Sequence, residues 1–448
     1  MADACRRDEC DTTPGSSSRA EMVSRALRAA GLAGCALAIA SCSNGAASDA
    51  VTLRLWAMGR EGEVVSELVP AFEREHPGIR VEVQQIPWTA AHEKLLTAYV
   101  GEATPDIAML GNTWLPEFEA LDALAPLDEL IATSPAIDPN DFFAGIWRTN
   151  VVDGKTYGIP WYVDTRLVYY RSDILARAGY SELPDTWAEW MTAMKKIKAQ
   201  MGATQYPMLM PTNEWPQLVG FALETGSPIL AQGGRYGAFQ EPRFREAFDF
   251  YVRFFREGLA PPVSSSQISN LFQEFERGNI AMYISGPWYI GEFRDRLADS
   301  VQGKWATAPM PGKDGPGASM AAGASLSIFA GSPHKREAWL LIEYLSRPET
   351  QLEFYKLTGD LPPRKASWQD TLLTNNRHAR AFRDQLERVV PLPQVPEWEE
   401  IATAIHEHGE RAIRGAATVD QALAALDRDV NAMLEKRRYL LARIGNRE

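Results

Sequence analysis

The chain has 448 residues, a formal net charge of −12, 13 tryptophans and four cysteines. This length is too great for one compact core, so two domains are expected, and the net acidity argues against nucleic acid as a partner. Because no cysteine follows Cys42, the rest of the chain can hold no disulfide, thiol nucleophile or cysteine metal site.

The N-terminal region resembles a bacterial export signal. Arg25 and Arg28 precede an apolar run at 29–40, which has the charge and length of a signal peptide and is too short to span a bilayer. The residues that end at Cys42 resemble a lipobox, and we favour Cys42 over Cys35 as the lipidated residue because Cys35 would leave almost no apolar core before it. These features predict a lipid anchor in the bacterial cell envelope, on the periplasmic side.

The remaining N-terminal residues divide into three segments. Residues 1–21 fit no signal peptide and are interpreted as a non-native or mis-annotated extension, with Met22 as an alternative start. Residues 22–41 are assigned to the signal peptide, and 42–50 are small and polar, as a tether would be.

Strands alternate with helices from residue 51 onward. Apolar patterns predict strands at 51–56, 79–85 and 105–110 and helices at 60–75, 90–100 and 115–121. This alternation is typical of a parallel sheet, whose connecting loops gather at the carboxyl ends of the strands. The loops expected there are 57–61, 87–89 and 111–114.

A second series of strands and helices has its own apolar pattern. Strands are predicted at 167–170, 207–210 and 280–284, with helices around them, and the chain becomes mostly helical after 335. We therefore expect an α/β fold with two lobes. The predicted boundaries are an N-lobe at 51–163, a C-lobe at 164–304, a return to the N-lobe at 305–362, and C-terminal helices at 363–448 that lie mostly on the C-lobe.

The sequence contains no motif that identifies an enzyme. There is no Walker loop, dinucleotide fingerprint or Gly-x-Ser-x-Gly elbow, and His406 and His408 are too closely spaced for a helical zinc pair. No metal or cofactor is therefore predicted. Asp164 and Glu214 could form a glycosidase pair, although carboxylates beside tryptophans also suit a protein that only binds sugar.

Tryptophans in the predicted loops indicate a ligand surface. An indole is flat and apolar, and it stacks well on the C–H face of a pyranose. About half of the loop tryptophans are expected to be packing residues instead. The candidates are Trp56, Trp88, Trp114, Trp161, Trp215, Trp288 and Trp398.

One stretch carries a family resemblance. Phe275, Gly278, Ala281-Met282, Gly286 and Trp288 resemble the Phe, Gly-x-x-Ala-Met, Gly-x-Trp pattern of bacterial extracellular solute-binding proteins of family 1, which serve ABC sugar importers. Shorter matches support it in the same order along residues 51–435. They are Pro105-Asp106-Ile107, Tyr157-Gly158-Ile159-Pro160, Tyr169-Tyr170, Pro184-Asp185-Thr186-Trp187, Thr358-Gly359 and Leu361-Pro362.

The resemblance implies a periplasmic-binding-protein fold, with a ligand cleft between two lobes and a hinge made of crossing segments. It implies that the protein is not an enzyme. It would be a monomer that delivers a di- or oligosaccharide to ABC transporter permease subunits and meets the membrane only through its lipid anchor. Similarity to maltose binders favours an α-glucoside such as maltose or trehalose.

The resemblance also implies which residues of this chain contact the sugar, and some of these residues match the family's motifs better than others. Trp288 and Asp164 match its motifs best, and Arg171 is a departure, since much of the family has asparagine there. The remaining expected ligand residues are Trp114, Asn112, Thr113, Trp161, Gly286, Tyr289, Trp88, Arg60, Glu61, Glu214, Trp215, Gly323, Arg364 and Trp398. The rival interpretations are an exported glycoside hydrolase that uses Asp164 and Glu214, and a peptide or polyamine binder on a related fold.

Overall fold

Two larger β-sheets organise the chain in the computed structural model, which describes residues 50–268 and 270–444. The predicted N-terminal extension, the signal peptide, Cys42 and nearly all of the tether lie outside these residues. None of the helices in the described part is long and apolar enough to cross a membrane.

The strands of the described residues are numbered in chain order. They are β1 Val51–Met58, β2 Ile79–Ile86, β3 Ile107–Gly111, β4 Val151–Val152, β5 Lys155–Thr156, β6 Ile159–Asp164, β7 Leu167–Arg171, β8 Tyr206–Leu209, β9 Leu230–Ala231, β10 Tyr236–Gly237, β11 Ile280–Ser285, β12 Trp305–Ala308, β13 Ser319–Ile328 and β14 Val389–Pro391.

The helices are numbered in the same way. They are α1 Gly59–Glu75, α2 Trp88–Val100, α3 Leu115–Ala120, α4 Asp128–Thr133, α5 Ala144–Arg148, α6 Ser172–Arg177, α7 Trp187–Lys198, α8 Pro216–Glu224, α9 Pro242–Arg256, α10 Leu271–Glu276, α11 Trp288–Arg296, α12 Asp299–Gln302, α13 Lys335–Leu345, α14 Pro348–Thr358, α15 Thr371–Thr374, α16 Arg377–Leu386, α17 Trp398–Ile413, α18 Val419–Met433 and α19 Glu435–Ile444.

The N-lobe is built on the first larger sheet. Strand β1 pairs in parallel with β2 and β3, and the late strand β13 joins the sheet antiparallel to β3 and β6. Apolar residues of the strands pack against α1, α2 and α13 in one buried core, which includes Leu55, Val65, Leu95 and Ile342. The parallel strands place the loops that follow β1, β2 and β3 at one edge, as the sequence predicts.

The C-lobe is built on the second larger sheet, in the order β12-β7-β11-β8. Its core includes Trp190 of α7, Phe221 of α8, Phe254 of α9 and Leu426 of α18, which are all buried. Helix α17 packs against α8, α9 and α18, so the C-terminal helical region lies against this lobe.

The strand pairing shows that the chain returns to the N-lobe later than the sequence predicts. Residues 305–308 form β12, which pairs with β7 in the C-lobe sheet. The next strand, β13, pairs with β3 and β6 of the N-lobe sheet, so the chain crosses between the end of β12 and the start of β13. The boundary at 305 therefore moves to about the start of β13.

The C-lobe also holds a carboxyl group with incomplete hydrogen bonding. Glu224 ends α8 and accepts a hydrogen bond of 2.5 Å from Nε1 of Trp187, while its Oε1 is buried without a partner. Burial raises the pKa of Glu224 well above its usual value, and the bond from Trp187 opposes this increase.

We expect Glu224→Gln to stabilise the protein near neutral pH. The unfolded chain releases this proton near pH 4.5, whereas the folded chain retains it, so the wild-type stability falls as pH rises above that value. The unfolding free energy falls by about 1.4 kcal/mol for each pH unit between the pKa of the unfolded chain and that of the folded chain. Glutamine does not titrate, so Glu224→Gln does not suffer this loss. Urea unfolding at pH 5 and pH 8 measures how far the unfolding free energy of Glu224→Gln exceeds that of the wild type. This excess should be larger at pH 8. An equal difference at both values would show that this carboxyl group does not titrate as described.

Candidate functional site

A cavity of about 1020 Å³ lies where the two lobes face each other. The N-lobe contributes the starts of α1 and α2 and the loop between β3 and α3, and the C-lobe contributes Trp215, α11 and the start of α17. The remaining lining residues lie on β6 and the turn after it, on β13, at the end of α14 and just beyond it, and at 372–376. The lining residues are Arg60, Glu61, Trp88, Gly111, Asn112, Thr113, Trp114, Tyr162, Asp164, Arg166, Trp215, Trp288, Ile290, Gly291, Glu292, Arg294, Asp295, Met320, Ala322, Gly323, Tyr355, Lys356, Leu357, Thr358, Gly359, Asp360, Leu372, Asn376 and Glu399.

Trp288 presents a partly buried indole to this cavity. It is the first residue of α11, directly after the Gly286-Pro287 break, and the guanidinium of Arg166 lies 4.7 Å from the centre of its ring. A β-carbon at Gly286 would lie 2.0 Å from Cζ3 of this indole. Gly286 does not itself line the cavity, but its lack of a side chain permits the position of Trp288.

Asp164 and Arg166 form an ion pair beside Trp288. Asp164 ends β6, and its Oδ1 accepts a hydrogen bond of 2.6 Å from Nη1 of Arg166. Burial raises the pKa of Asp164, while the guanidinium opposes the increase. The pair offers both an acceptor and donors to a polar ligand.

A second group of acids lies in the cavity wall. Glu61 near the start of α1 is 9% exposed, and Asp360 after α14 is 4% exposed. Burial raises the pKa of Glu61 and raises that of Asp360 well above its usual range, where the charge of Glu61 adds to the effect. Tyr162 lies beside them, and its pKa is raised by burial and then by Glu61. These carboxyl and phenol groups place several polar atoms along one wall of the cavity.

Two further indoles line the N-lobe side. Trp88 begins α2 and is 37% exposed, and its ring meets that of Trp114 at 5.7 Å in a T-shaped arrangement. His92, one turn along α2, packs on Trp114 at 5.0 Å and contacts Glu117 at 2.6 Å. The hydrogen bond with Glu117 raises the pKa of His92.

Asn112 and Thr113 follow β3, and both are hydrogen bonded. Nδ2 of the buried Asn112 donates to Oγ1 of Thr149 at 2.6 Å and to Oγ of Ser325 at 3.2 Å, while its Oδ1 has no partner. Thr113 Oγ1 donates to Oε1 of Glu399 in α17 at 2.6 Å.

Ten of the predicted ligand residues thus meet at one cavity. They are Arg60, Glu61, Trp88, Asn112, Thr113, Trp114, Asp164, Trp215, Trp288 and Gly323.

Three of the tryptophan candidates lie in the cores instead, and one of them, Trp56, is 9% exposed within β1 of the N-lobe core. Trp161 is 1% exposed and stacks on Phe354 at 4.3 Å, because alternation along β6 turns Tyr162 and Asp164 toward the cavity and Trp161 away from it. Trp398 is completely buried in the C-lobe core, against the edge of Trp215.

Three other predicted residues also have structural partners outside the cavity lining. Arg364 pairs with Asp141 at 2.6 Å and donates to two backbone carbonyls. Tyr289 packs among aromatic residues that include Tyr169 and Tyr283. Glu214 accepts a hydrogen bond of 2.8 Å from Gln217 of its own helix region.

Sequence reasoning missed several lining residues. Tyr162 and Arg166 flank Asp164, and their positions follow from strand alternation and from the turn after β6. Asp360 directly follows the Thr358-Gly359 motif, which was a usable signal. Glu399 is the neighbour of Trp398, and only the rotation of α17 decides which of the two faces the cavity.

In the described residues, no three histidine, cysteine, aspartate or glutamate side chains are grouped so that they could hold a metal ion.

Comparison with known proteins decides the family. The model of the family described as "Bacterial extracellular solute-binding protein" matches residues 58–352. The chain belongs to this family. Its α/β architecture is the two-lobed fold of such solute-binding proteins, which confirms the predicted fold class and resemblance.

Individual relatives of this solute-binding protein cover most of its length. A solved structure of the sugar-binding protein MalE from the phytopathogen Xanthomonas citri is 49% identical, with a TM-score of 0.85 over 88% of this chain and 99% of that chain. A putative binding protein of Brucella abortus is 27% identical over 84% of this chain and 91% of its own length. The diacetylchitobiose binding protein DasA of Streptomyces coelicolor is 26% identical over 84% of this chain and 90% of its own length.

Proposed function

We propose that this protein is the sugar-binding component of an ABC importer and that its cleft closes on a di- or oligosaccharide. The observation that carries the proposal is that indoles from both lobes line one cavity, Trp88 and Trp114 on one side and Trp215 and Trp288 on the other. Carboxyl, amide, hydroxyl and guanidinium groups lie between them. Stacking surfaces with a polar surround suit pyranose rings and their hydroxyl groups.

An α-glucoside such as maltose or trehalose is the preferred solute. The MalE protein of Xanthomonas citri, described as a sugar-binding protein, supports a sugar as the solute through 49% identity. A volume of about 1020 Å³ leaves room for more than one sugar ring. A sugar that contacts both lobes binds the closed form better than the open form, and this difference drives closure.

The remaining parts of the proposal concern the protein's place in the cell. A lipid anchor at Cys42 would hold a monomer at the periplasmic side of the bacterial envelope, where the permease subunits recognise the closed form. The mass of the mature protein would show whether lipid is attached at Cys42 or at Cys35.

A thermal-shift screen against mono-, di- and oligosaccharides tests the proposed solute. Maltose or trehalose should raise the midpoint of unfolding with concentration, because a ligand at about 100 times its Kd stabilises the folded state by about 2.7 kcal/mol. Glucose should have a smaller effect since it reaches fewer of the indoles. If no sugar in the panel shifts the midpoint while another class of solute does, the proposed solute class is wrong.

The hydrolase alternative has less support. Asp164 lines the cavity, but Glu214, its predicted partner, does not. Incubation with aryl glucosides separates the two functions, because turnover that Asp164→Asn abolishes would favour the enzyme.

A further inference from the structure

One hydrogen bond joins the two lobes beside the cavity. Its donor, Thr113, lies in the loop between β3 and α3 of the N-lobe. Its acceptor, Glu399, is the second residue of α17, which packs against α8, α9 and α18 of the C-lobe. The distance of 2.6 Å from the hydroxyl oxygen to the carboxylate oxygen is that of a strong, charge-assisted bond.

The surroundings hold both groups in place. Trp398, next to Glu399, is completely buried and packs against the edge of Trp215, which fixes the start of α17 on the C-lobe. On the other lobe, Asn112 is held by two hydrogen bonds immediately before Thr113. Gln394 adds a second link, because its Nε2 donates to the backbone oxygen of Thr149 at 3.1 Å.

We propose that Thr113 and Glu399 form a clasp that holds the lobes together without a bound solute. The balance between the open and closed forms of a hinged protein depends on interactions that differ between the two forms. This bond is such an interaction, because it exists only when the Thr113 loop and the start of α17 meet. Both partners are partly buried, so water competes less with the bond than it would on an open surface. Its loss should move the balance of closed to open forms by about tenfold.

The clasp also predicts an effect on affinity, and this part rests on the proposed function. A solute that needs the closed form pays less to bind when that form is already populated. Removing the clasp should therefore weaken sugar binding by up to about tenfold. Both side chains line the cavity, so they would also be in a position to exchange their mutual bond for bonds to the solute.

Small-angle X-ray scattering of the full chain without sugar tests the clasp directly. Thr113→Val removes the donor at nearly constant volume and breaks the bond, whereas Glu399→Gln keeps an oxygen that can accept but removes the charge that strengthens the bond. Thr113→Val should increase the radius of gyration more than Glu399→Gln does, and the double variant should add little to Thr113→Val, because both changes act on the same bond. Glu400→Gln, at the exposed neighbour of Glu399 on α17, is the matched control and should leave the radius unchanged.

Calorimetry with the best sugar from the screen completes the test. The variants should bind it less tightly, and at saturation their radius of gyration should return to the wild-type value. An unchanged radius in ligand-free Thr113→Val would overturn the clasp. Failure of every sugar to bind would overturn the proposed solute but leave the sugar-free comparison intact.

Discussion

Trp288→Ala is expected to weaken sugar binding by about ten- to a hundredfold while the protein remains folded. The indole lines the cavity, and one face is covered by Arg166 at 4.7 Å. Alanine removes the stacking surface and leaves the guanidinium of Arg166 without its aromatic partner, so the ion pair with Asp164 loses a support as well. The fold should persist because Trp288 is only partly buried.

Titration calorimetry with maltose or trehalose measures this effect. Trp288→Phe should retain part of the affinity, since a smaller ring can still stack. Tyr236→Ala is a suitable control, because Tyr236 is an exposed aromatic residue of the same lobe that does not line the cavity. If Trp288→Ala binds sugar as tightly as the wild type, the indole of Trp288 serves only in packing.

The fold was largely predictable because its signals are local and repeated. Apolar periodicity located α1 and β11 within about two residues, and the βα alternation placed the loops after β1, β2 and β3 at one edge of the sheet. The strand at 305–308 shows the limit of this reasoning. Its apolar pattern is the same whether it pairs with β7 or with the N-lobe sheet, and pairing partners distant in sequence leave no local signal.

The site was predictable at the level of loops but not of individual side chains. Trp161 and Trp398 were expected at the cavity, yet Tyr162 and Glu399, their neighbours, face it instead. A strand turns successive side chains to opposite faces, and the first turn of a helix separates them by about 100°. One position of register therefore exchanges a cavity-lining residue for a core residue, and residue type alone cannot decide between them.

Arg364 illustrates a second limit. It is a polar residue near a predicted crossing of the chain, and the sequence offers no reason to assign it a structural role. In the fold, Arg364 meets Asp141, which is more than two hundred residues away in the chain. Such long-range partners decide whether a polar side chain is free to bind solute, and they emerge only with the tertiary structure.

Trp161→Ala should mainly reduce stability, whereas Trp288→Ala should mainly reduce affinity for sugar, although both remove an indole. Trp161 is 1% exposed and stacks on Phe354 of α14, so alanine would leave a large cavity between β6 and that helix. The expected loss is about 3–5 kcal/mol of unfolding free energy. Urea unfolding followed by circular dichroism measures it, and Trp288→Ala in the same assay should cost much less.

A conservative change separates packing from hydrogen bonding at this position. Nε1 of Trp161 is buried without a partner, so the indole N–H contributes no bond that phenylalanine would lose. Trp161→Phe keeps an aromatic ring against Phe354 and should therefore recover most of the stability lost in Trp161→Ala. Equal losses in the two variants would mean that a contact other than ring packing holds this part of β6. If the fraction of Trp161→Ala that remains folded binds sugar as tightly as the wild type, the indole acts only through the fold, as its position on the far side of β6 requires.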